Sequence, residues 1–90
     1  MKIICDVYRG DKRPESYIYV DKGVGLKRVP EELLNLFGEL EISFSFVLTE
    51  DRKLAKEDSK KVMANLSEQG YHLQMPPLYL GQLGKEDKSL

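Results

Sequence analysis

The stretch Glu41-Ile-Ser-Phe-Ser-Phe-Val-Leu48 decides the fold of this chain, because its residue pattern has the clearest period in the sequence. Its apolar side chains, at Ile42, Phe44, Phe46 and Leu48, alternate with Glu41, Ser43 and Ser45. A period of two is typical of a half-buried β-strand that turns one face toward a core. We therefore predict a strand over 41–48, in which Phe44 and Phe46 are both buried against helices.

Two β-prone runs precede this strand. Residues 2–8 and 16–21 are rich in β-branched and aromatic types, and Gly and Pro lie between them. This pattern predicts a hairpin with a longer turn. If Tyr8 pairs with Tyr17, the aliphatic side chains share one face and the tyrosines share the other. The first face carries Ile3, Cys5, Val7, Ile18 and Val20, and the second carries Ile4, Asp6, Tyr8, Tyr17 and Tyr19. We expect the first face to be the core face.

Helical periods lie on both sides of the strand 41–48. After Pro30, which suits a first helical turn, apolar residues recur at helical spacing until Gly38. A second helix is predicted over 56–69, with its buried stripe at Val62, Met63 and Leu66. Residues 71–75 then alternate as a last strand that Pro76-Pro77 closes, because proline cannot extend a ladder.

The element order is therefore β-β-α-β-α-β, which predicts an α+β fold. We expect a two-layer sandwich, with a four-stranded, mainly antiparallel sheet and two helices on one face. The length of 90 residues suits a single domain, which we place at 1–77. Residues 78–90 are predicted to form a flexible C-terminal tail.

Composition narrows the class of protein. The 14 Lys and Arg nearly balance the 15 Asp and Glu, so no net field attracts polyanions in general. A single cysteine rules out an internal disulfide and fits a reducing compartment. No apolar run is long enough to cross a bilayer, and Met1–Arg13 does not read as a signal peptide. We expect a cytoplasmic protein with no membrane partner.

A set of residues spread in order over about 3–77 carries a family resemblance. It comprises Cys5, Tyr8-Arg9, Lys12-Arg13, Tyr17-Ile18-Tyr19-Val20, Arg28-Val29-Pro30-Glu31-Glu32-Leu33, Phe37-Gly38, Arg52-Lys53-Leu54-Ala55, Val62 and Gly70-Tyr71-His72-Leu73-Gln74-Met75-Pro76-Pro77. In this combination the chain resembles the YcgL-domain proteins of gamma-proteobacteria, although Asp6, Gly10 and His72 depart from the more usual family residues. The resemblance implies a small bacterial cytoplasmic α/β domain, and it brings no catalytic residues with it.

Few residues suggest chemistry. Cys5 lies at an inward strand position, which favours a buried thiol over a reactive one. The single histidine, His72, is predicted on the outer face, with no nucleophile or second metal ligand beside it. Acidic pairs at the helix starts suit the helix dipole, and Gly23 and Gly25 lack the third glycine of a dinucleotide motif. We therefore predict no catalytic residue, no metal and no cofactor, and a protein that is not an enzyme.

The outer sheet face is the candidate interaction face. We expect it to present Tyr8, Arg9, Arg13, Tyr17, Tyr19, His72 and Gln74. The predicted function is a non-enzymatic protein-interaction or regulatory module with a protein partner. The alternative is an accessory protein for RNA or single-stranded nucleic acid, because tyrosines edged by cations can stack on bases. The segment Pro76–Leu83 could instead fold back over the tyrosines.

The charge distribution leaves a further alternative open. Residues 9–28 carry a local charge of +3 and residues 29–58 a local charge of −5. This asymmetry is compatible with a homodimer formed by antiparallel association, with a small anionic site, or with ordinary solvated loops.

Overall fold

The alternating and helical patterns of the sequence correspond to six elements in the described part of the chain. The computed structural model describes residues 2–54 and 57–75. Its elements are β1 (Lys2–Gly10), β2 (Tyr17–Asp21), α1 (Glu31–Phe37), β3 (Leu40–Thr49), α2 (Ser59–Glu68) and β4 (His72–Gln74). The order β-β-α-β-α-β and the α+β class are confirmed. The predicted tail over 78–90 and the fold-back of Pro76–Leu83 lie outside the described residues.

The four strands form one sheet in the order β3-β1-β2-β4. Each neighbouring pair is antiparallel, so β2 and β3 run parallel to each other on either side of β1. The hairpin β1–β2 is thus the centre of the sheet, and β3 and β4 are its two edges.

The pairing of β1 with β2 differs by one residue from the prediction. Tyr8 pairs with Ile18, and Tyr17 pairs with Arg9, so Tyr8 and Tyr17 are not partners. A one-residue shift moves the side chains of a strand to opposite faces. Cys5 and Val7 consequently share a face with Tyr17 and Tyr19, whereas Ile18 and Val20 share the other face with Ile4, Asp6 and Tyr8.

The two helices pack on opposite faces of the sheet, which corrects the expectation that both lie on one face. The face of α2 holds one core cluster, made of Cys5, Val7, Tyr19, Leu48, Val62, Met63 and Leu66. The face of α1 holds another, made of Ile18, Val20, Val29 and Phe37. With a helix on each side, both faces need apolar residues, and the observed register provides them. A register that collects every aliphatic residue on one face would leave α1 without a partner surface.

The end of β1 is clamped to the end of α1. A Cβ at Gly10 would lie 2.1 Å from the carbonyl oxygen of Phe37, so only glycine allows this approach. Lys12 N–H donates to the same oxygen at 3.0 Å, and Asp11 N–H donates to the Glu39 carbonyl at 3.1 Å. Gly38 makes the turn between α1 and β3 with φ of 82°, which suits glycine. These contacts fix where β3 starts.

Candidate interaction surface

β3 is a long strand at one edge of the described sheet. It spans ten residues, and among the described strands it pairs only with β1. From Ile42 to Leu48 it has no charged residue and no proline. Proteins usually protect such edges with charges, prolines or short strands, because unpaired backbone groups are a template for another strand.

A bulge divides the side chains of β3 between the two faces. Val7 pairs with Phe44 and Tyr8 pairs with Ile42, so Ser43 is the extra residue. Phe44, Phe46 and Leu48 therefore point toward the α2 face, whereas Ile42 points toward the α1 face. The predicted single apolar face holds for three of these residues and is wrong for Ile42.

Large apolar side chains are exposed around this edge. Leu48 is fully buried, but Phe44 is 49% exposed and Phe46 is only partly buried, so the prediction that both phenylalanines are buried is wrong for Phe44 and holds only in part for Phe46. Ile4, Ile42 and Val47 are 44–52% exposed on the other face, because α1 packs mainly over β2 and β4. We call Ile4, Ile42, Phe44, Val47 and the outer backbone edge of β3 the β3 surface.

The backbone of Val47 points away from the sheet. Val47 pairs with Ile4, whose carbonyl accepts at 2.8 Å from the N–H of Lys22, the residue directly after β2. Since Ile4 directs its backbone groups toward β2, those of its partner Val47 point outward. Arg52 covers this position, because its Nη1 donates to the Val47 carbonyl at 3.2 Å.

The Arg52 guanidinium rests on an aromatic pair. Its Cζ lies 5.0 Å from the Phe46 ring centroid, and the rings of Phe46 and Phe44 stack at 5.9 Å. No carboxylate among the described residues lies within ion-pair distance of Arg52. Arg9, by contrast, lies 3.5 Å from Glu41 at the opposite end of β3. Arg52 thus presents a cation at the edge that no carboxylate of the described residues pairs with.

The residues predicted for the outer face do not form one surface. Tyr17, Tyr19, His72, Gln74 and Arg9 lie on the α2 face of the sheet. Tyr8 lies on the α1 face and packs beside Ile18, while Arg13 lines a small groove between α1 and β4. The register shift is the reason for this division.

Tyr19 and His72 belong to a buried polar network. Tyr19 is 5% exposed and donates its hydroxyl hydrogen to Gln74 Oε1 at 2.9 Å. Burial, aided by the nearby Glu57 carboxylate, raises the pKa of Tyr19 to about 12. His72 is buried too, contrary to its predicted surface position. Its Nδ1 accepts from Asn65 Nδ2 at 2.9 Å, so its Nε2 carries the hydrogen that faces Glu57.

Cys5 is a core residue, as its strand position predicts. Its side chain is fully buried, and burial, followed by the Asp6 charge, raises the pKa of the thiol to about 12.

Within 2–54 and 57–75, no group of three or more potential ligand side chains is placed to hold a metal ion. No helix in this part of the chain is long and apolar enough to cross a membrane.

Comparison with known proteins identifies the family. The YcgL domain model matches residues 5–77. A YcgL domain-containing protein of Stutzerimonas stutzeri is 54% identical over 77 residues, which cover 86% of this chain and 79% of the relative. A Pseudomonas putida relative of the same description is 53% identical over 89 residues, covering 96% and 92%. The chain belongs to the YcgL domain family, which confirms the resemblance found in its residues.

Sequence reasoning missed the β3 surface. Alternation of apolar and polar residues identifies the strand but not its position in the sheet. No residue pattern therefore predicts that the side chains of Phe44 and Val47 are exposed. The absence of charge from Ile42 to Leu48 was the one available sign, and it was ambiguous. A buried central strand and an exposed edge strand can both lack charged residues. Nothing local to Arg52 indicates that it turns back onto β3.

Proposed function

We propose that this domain is a protein-interaction module that binds an extended segment of a partner protein along β3. The bound segment adds a fifth strand to the sheet by β-augmentation, in which backbone hydrogen bonds give affinity and alternate side chains give specificity. The observation that carries the proposal is the outer edge of β3, which no described strand pairs with and which is flanked by four side chains that are each about half exposed. Exposed apolar patches of this kind frequently mark interaction sites.

The chemistry of the segment follows from the two faces of β3. On the α2 face it meets Phe44, and on the α1 face it meets Val47 and Ile42. A segment with apolar side chains on both faces, and without proline, fits this edge. The module needs no catalytic group, which agrees with the prediction that the protein is not an enzyme.

The nucleic-acid alternative has less support. It requires tyrosines that can stack on unpaired bases, but Tyr19 is 5% exposed and Tyr8 lies on the opposite face from Tyr17. Arg9 is already paired with Glu41. Tyr8, Tyr17 and Tyr19 therefore do not form one accessible surface edged by cations.

Photo-crosslinking in bacterial cells tests the strand-addition proposal. A photoreactive benzoylphenylalanine replaces Phe44 in one tagged version and Leu36 of α1 in a matched control, since these residues are 49% and 48% exposed. We expect a discrete protein adduct from position 44 and none from position 36. The added substitution Val47→Lys should abolish the adduct, because a charge on an edge strand opposes pairing.

Mapping the adduct completes the test. The crosslinked segment, made as a peptide, should protect the backbone amides of Ser45 and Val47 from hydrogen exchange. Equal adducts from positions 44 and 36, survival of the adduct in the Val47→Lys protein, or adducts with nucleic acid alone would contradict the proposal.

A further inference from the structure

We propose that the segment bound by β3 carries an acidic side chain, and that Arg52 is the residue that selects it. This inference rests on the proposed function, which it makes more specific. Arg52 controls the edge in two ways, first by occupying the Val47 carbonyl and then by receiving the carboxylate of the incoming strand.

A strand cannot pair along all of β3 while Arg52 keeps its present position. The Val47 carbonyl, which points away from the sheet, accepts from Arg52 Nη1 at 3.2 Å. The Thr49 carbonyl also accepts from the backbone N–H of Arg52, at the same distance. An added strand needs the outward carbonyl of Val47 for its own ladder, so the guanidinium has to leave it.

The displaced guanidinium then needs another acceptor. Its present contacts are a neutral carbonyl and the face of Phe46, with no carboxylate of the described chain in ion-pair distance. A carboxylate suits it better, because the guanidinium fork binds both carboxylate oxygens and the resulting hydrogen bonds are charge-assisted. An Asp or Glu on the α2 face of the added strand would lie beside Arg52 and Phe46.

The charges around Arg52 at this end of β3 are of both signs. Lys2 and Lys60 line a cleft with Thr49, and Lys53 follows Arg52 in the chain. Glu50 and Asp51 line the same cleft, and Asp51 Oδ1 accepts from the Thr49 hydroxyl at 2.9 Å. The cleft is therefore balanced in charge, and the attraction for an acidic segment comes from Arg52 itself.

A second copy of the chain fits the site less well. Two β3 strands would pair antiparallel about a two-fold axis, and their bulge-free portion, 44–48, is centred on Phe46. Both Arg52 guanidiniums would then lie over adjacent Phe46 rings, with like charges close together. The paired portion of β3 also contains no acid that could receive either arginine.

Selection from a random peptide library displayed on phage tests the inference, with the purified protein as bait. For the wild type we expect enriched peptides that have alternating apolar residues and an Asp or Glu at one fixed position. The variant Arg52→Glu should replace that preference with Lys or Arg at the same position. Arg52→Gln should remove the preference without reversing it. The matched control Arg9→Glu, which alters the arginine already paired with Glu41, should leave it unchanged.

Individual peptides give the size of the effect. Replacing the selected acid by its amide should weaken binding to the wild type about tenfold and leave binding to Arg52→Gln unchanged. Enriched peptides whose charge does not follow the residue at position 52 would overturn the role of Arg52 and leave strand addition standing. Enrichment that persists in Val47→Lys, or no enrichment with any bait, would instead overturn strand addition itself. Recovery of the bait as a dimer that Val47→Lys dissociates would assign the edge to a second copy.

Discussion

Cys5 illustrates how position in the sheet sets the chemistry of one side chain. It lies on β1, a central strand, under α2, and none of its surface is exposed. The thiolate is the reactive form of cysteine, and burial makes that form costly. With its pKa raised to about 12, the thiol is almost entirely protonated at neutral pH.

We therefore expect Cys5 to resist iodoacetamide in the native protein and to react quickly in denaturant. Native labelling should be slow and should accelerate only under conditions that unfold the whole domain. The labelling rate, measured by mass spectrometry across a urea series, checks this expectation. Rapid labelling of the folded protein at neutral pH would show that the thiol is accessible and would reopen a redox role.

At the scale of the element, β3 has a buried end and an exposed middle. Leu48 is fully buried with Cys5 and Val62, whereas Phe44 is about half exposed near the bulge. Burial, not residue size, sets what a side chain contributes to stability.

Truncation of these two residues should separate the two ends of the strand. Leu48→Ala should lower the free energy of unfolding by about 2–5 kcal/mol, because it leaves a cavity in the core. Phe44→Ala removes the larger side chain but should cost no more than about 1 kcal/mol, as expected for a site that remains open to solvent. Urea unfolding of both variants measures the difference. A Phe44→Ala protein as unstable as Leu48→Ala would mean that Phe44 is covered.

The elements themselves could be predicted, and their pairing could not. Apolar spacing located every strand and helix, including a strand at 71–75 that the structure shortens to His72–Gln74. The register failed because the residue pattern does not say how many faces of a sheet are covered. Placing Ile18 and Val20 on the same face as Cys5 is sensible for a sheet that helices cover on one face. It is wrong for this sheet, which has a helix on each face. The exposure of Val47 depends on strand order, which no local pattern encodes.

At the scale of the whole molecule, the two sides of the sheet are covered unequally. The helix α2 contributes to a cluster that includes residues of β1, β2 and β3. Among the described residues, α1 packs mainly over β2 and β4, and Ile4, Ile42 and Val47 on the β1–β3 half of the same face stay about half exposed. The stable core and the proposed binding edge therefore meet at β1 and β3, so a strand added to the edge would extend a sheet that α2 already holds together.

The core under α2 also predicts how stability depends on pH. The pKa values of Cys5 and Tyr19 are both raised to about 12 in the folded protein, from ordinary values of 9.0 and 10.0. Between these values the unfolded chain releases protons that the folded chain retains, so stability falls as pH rises. The contribution of the two groups is complete below pH 9 and is lost progressively toward pH 12.

The variant Tyr19→Phe isolates one part of this dependence. At neutral pH it should lose about 1 kcal/mol, because the hydrogen bond from the tyrosine hydroxyl to Gln74 Oε1 is removed. Between pH 10 and 12 its stability should fall less steeply than that of the wild type, since one titrating group is gone. Val62→Ala is the matched control, because it weakens the same cluster without removing a titrating group, and its stability should run parallel to that of the wild type. Urea unfolding at a series of alkaline pH values measures all three proteins. If the free energy of unfolding falls with the same slope against pH in Tyr19→Phe and Val62→Ala, the fold does not keep the Tyr19 hydroxyl protonated. In that case α2 would have to pack over this network more loosely than it does in the structure.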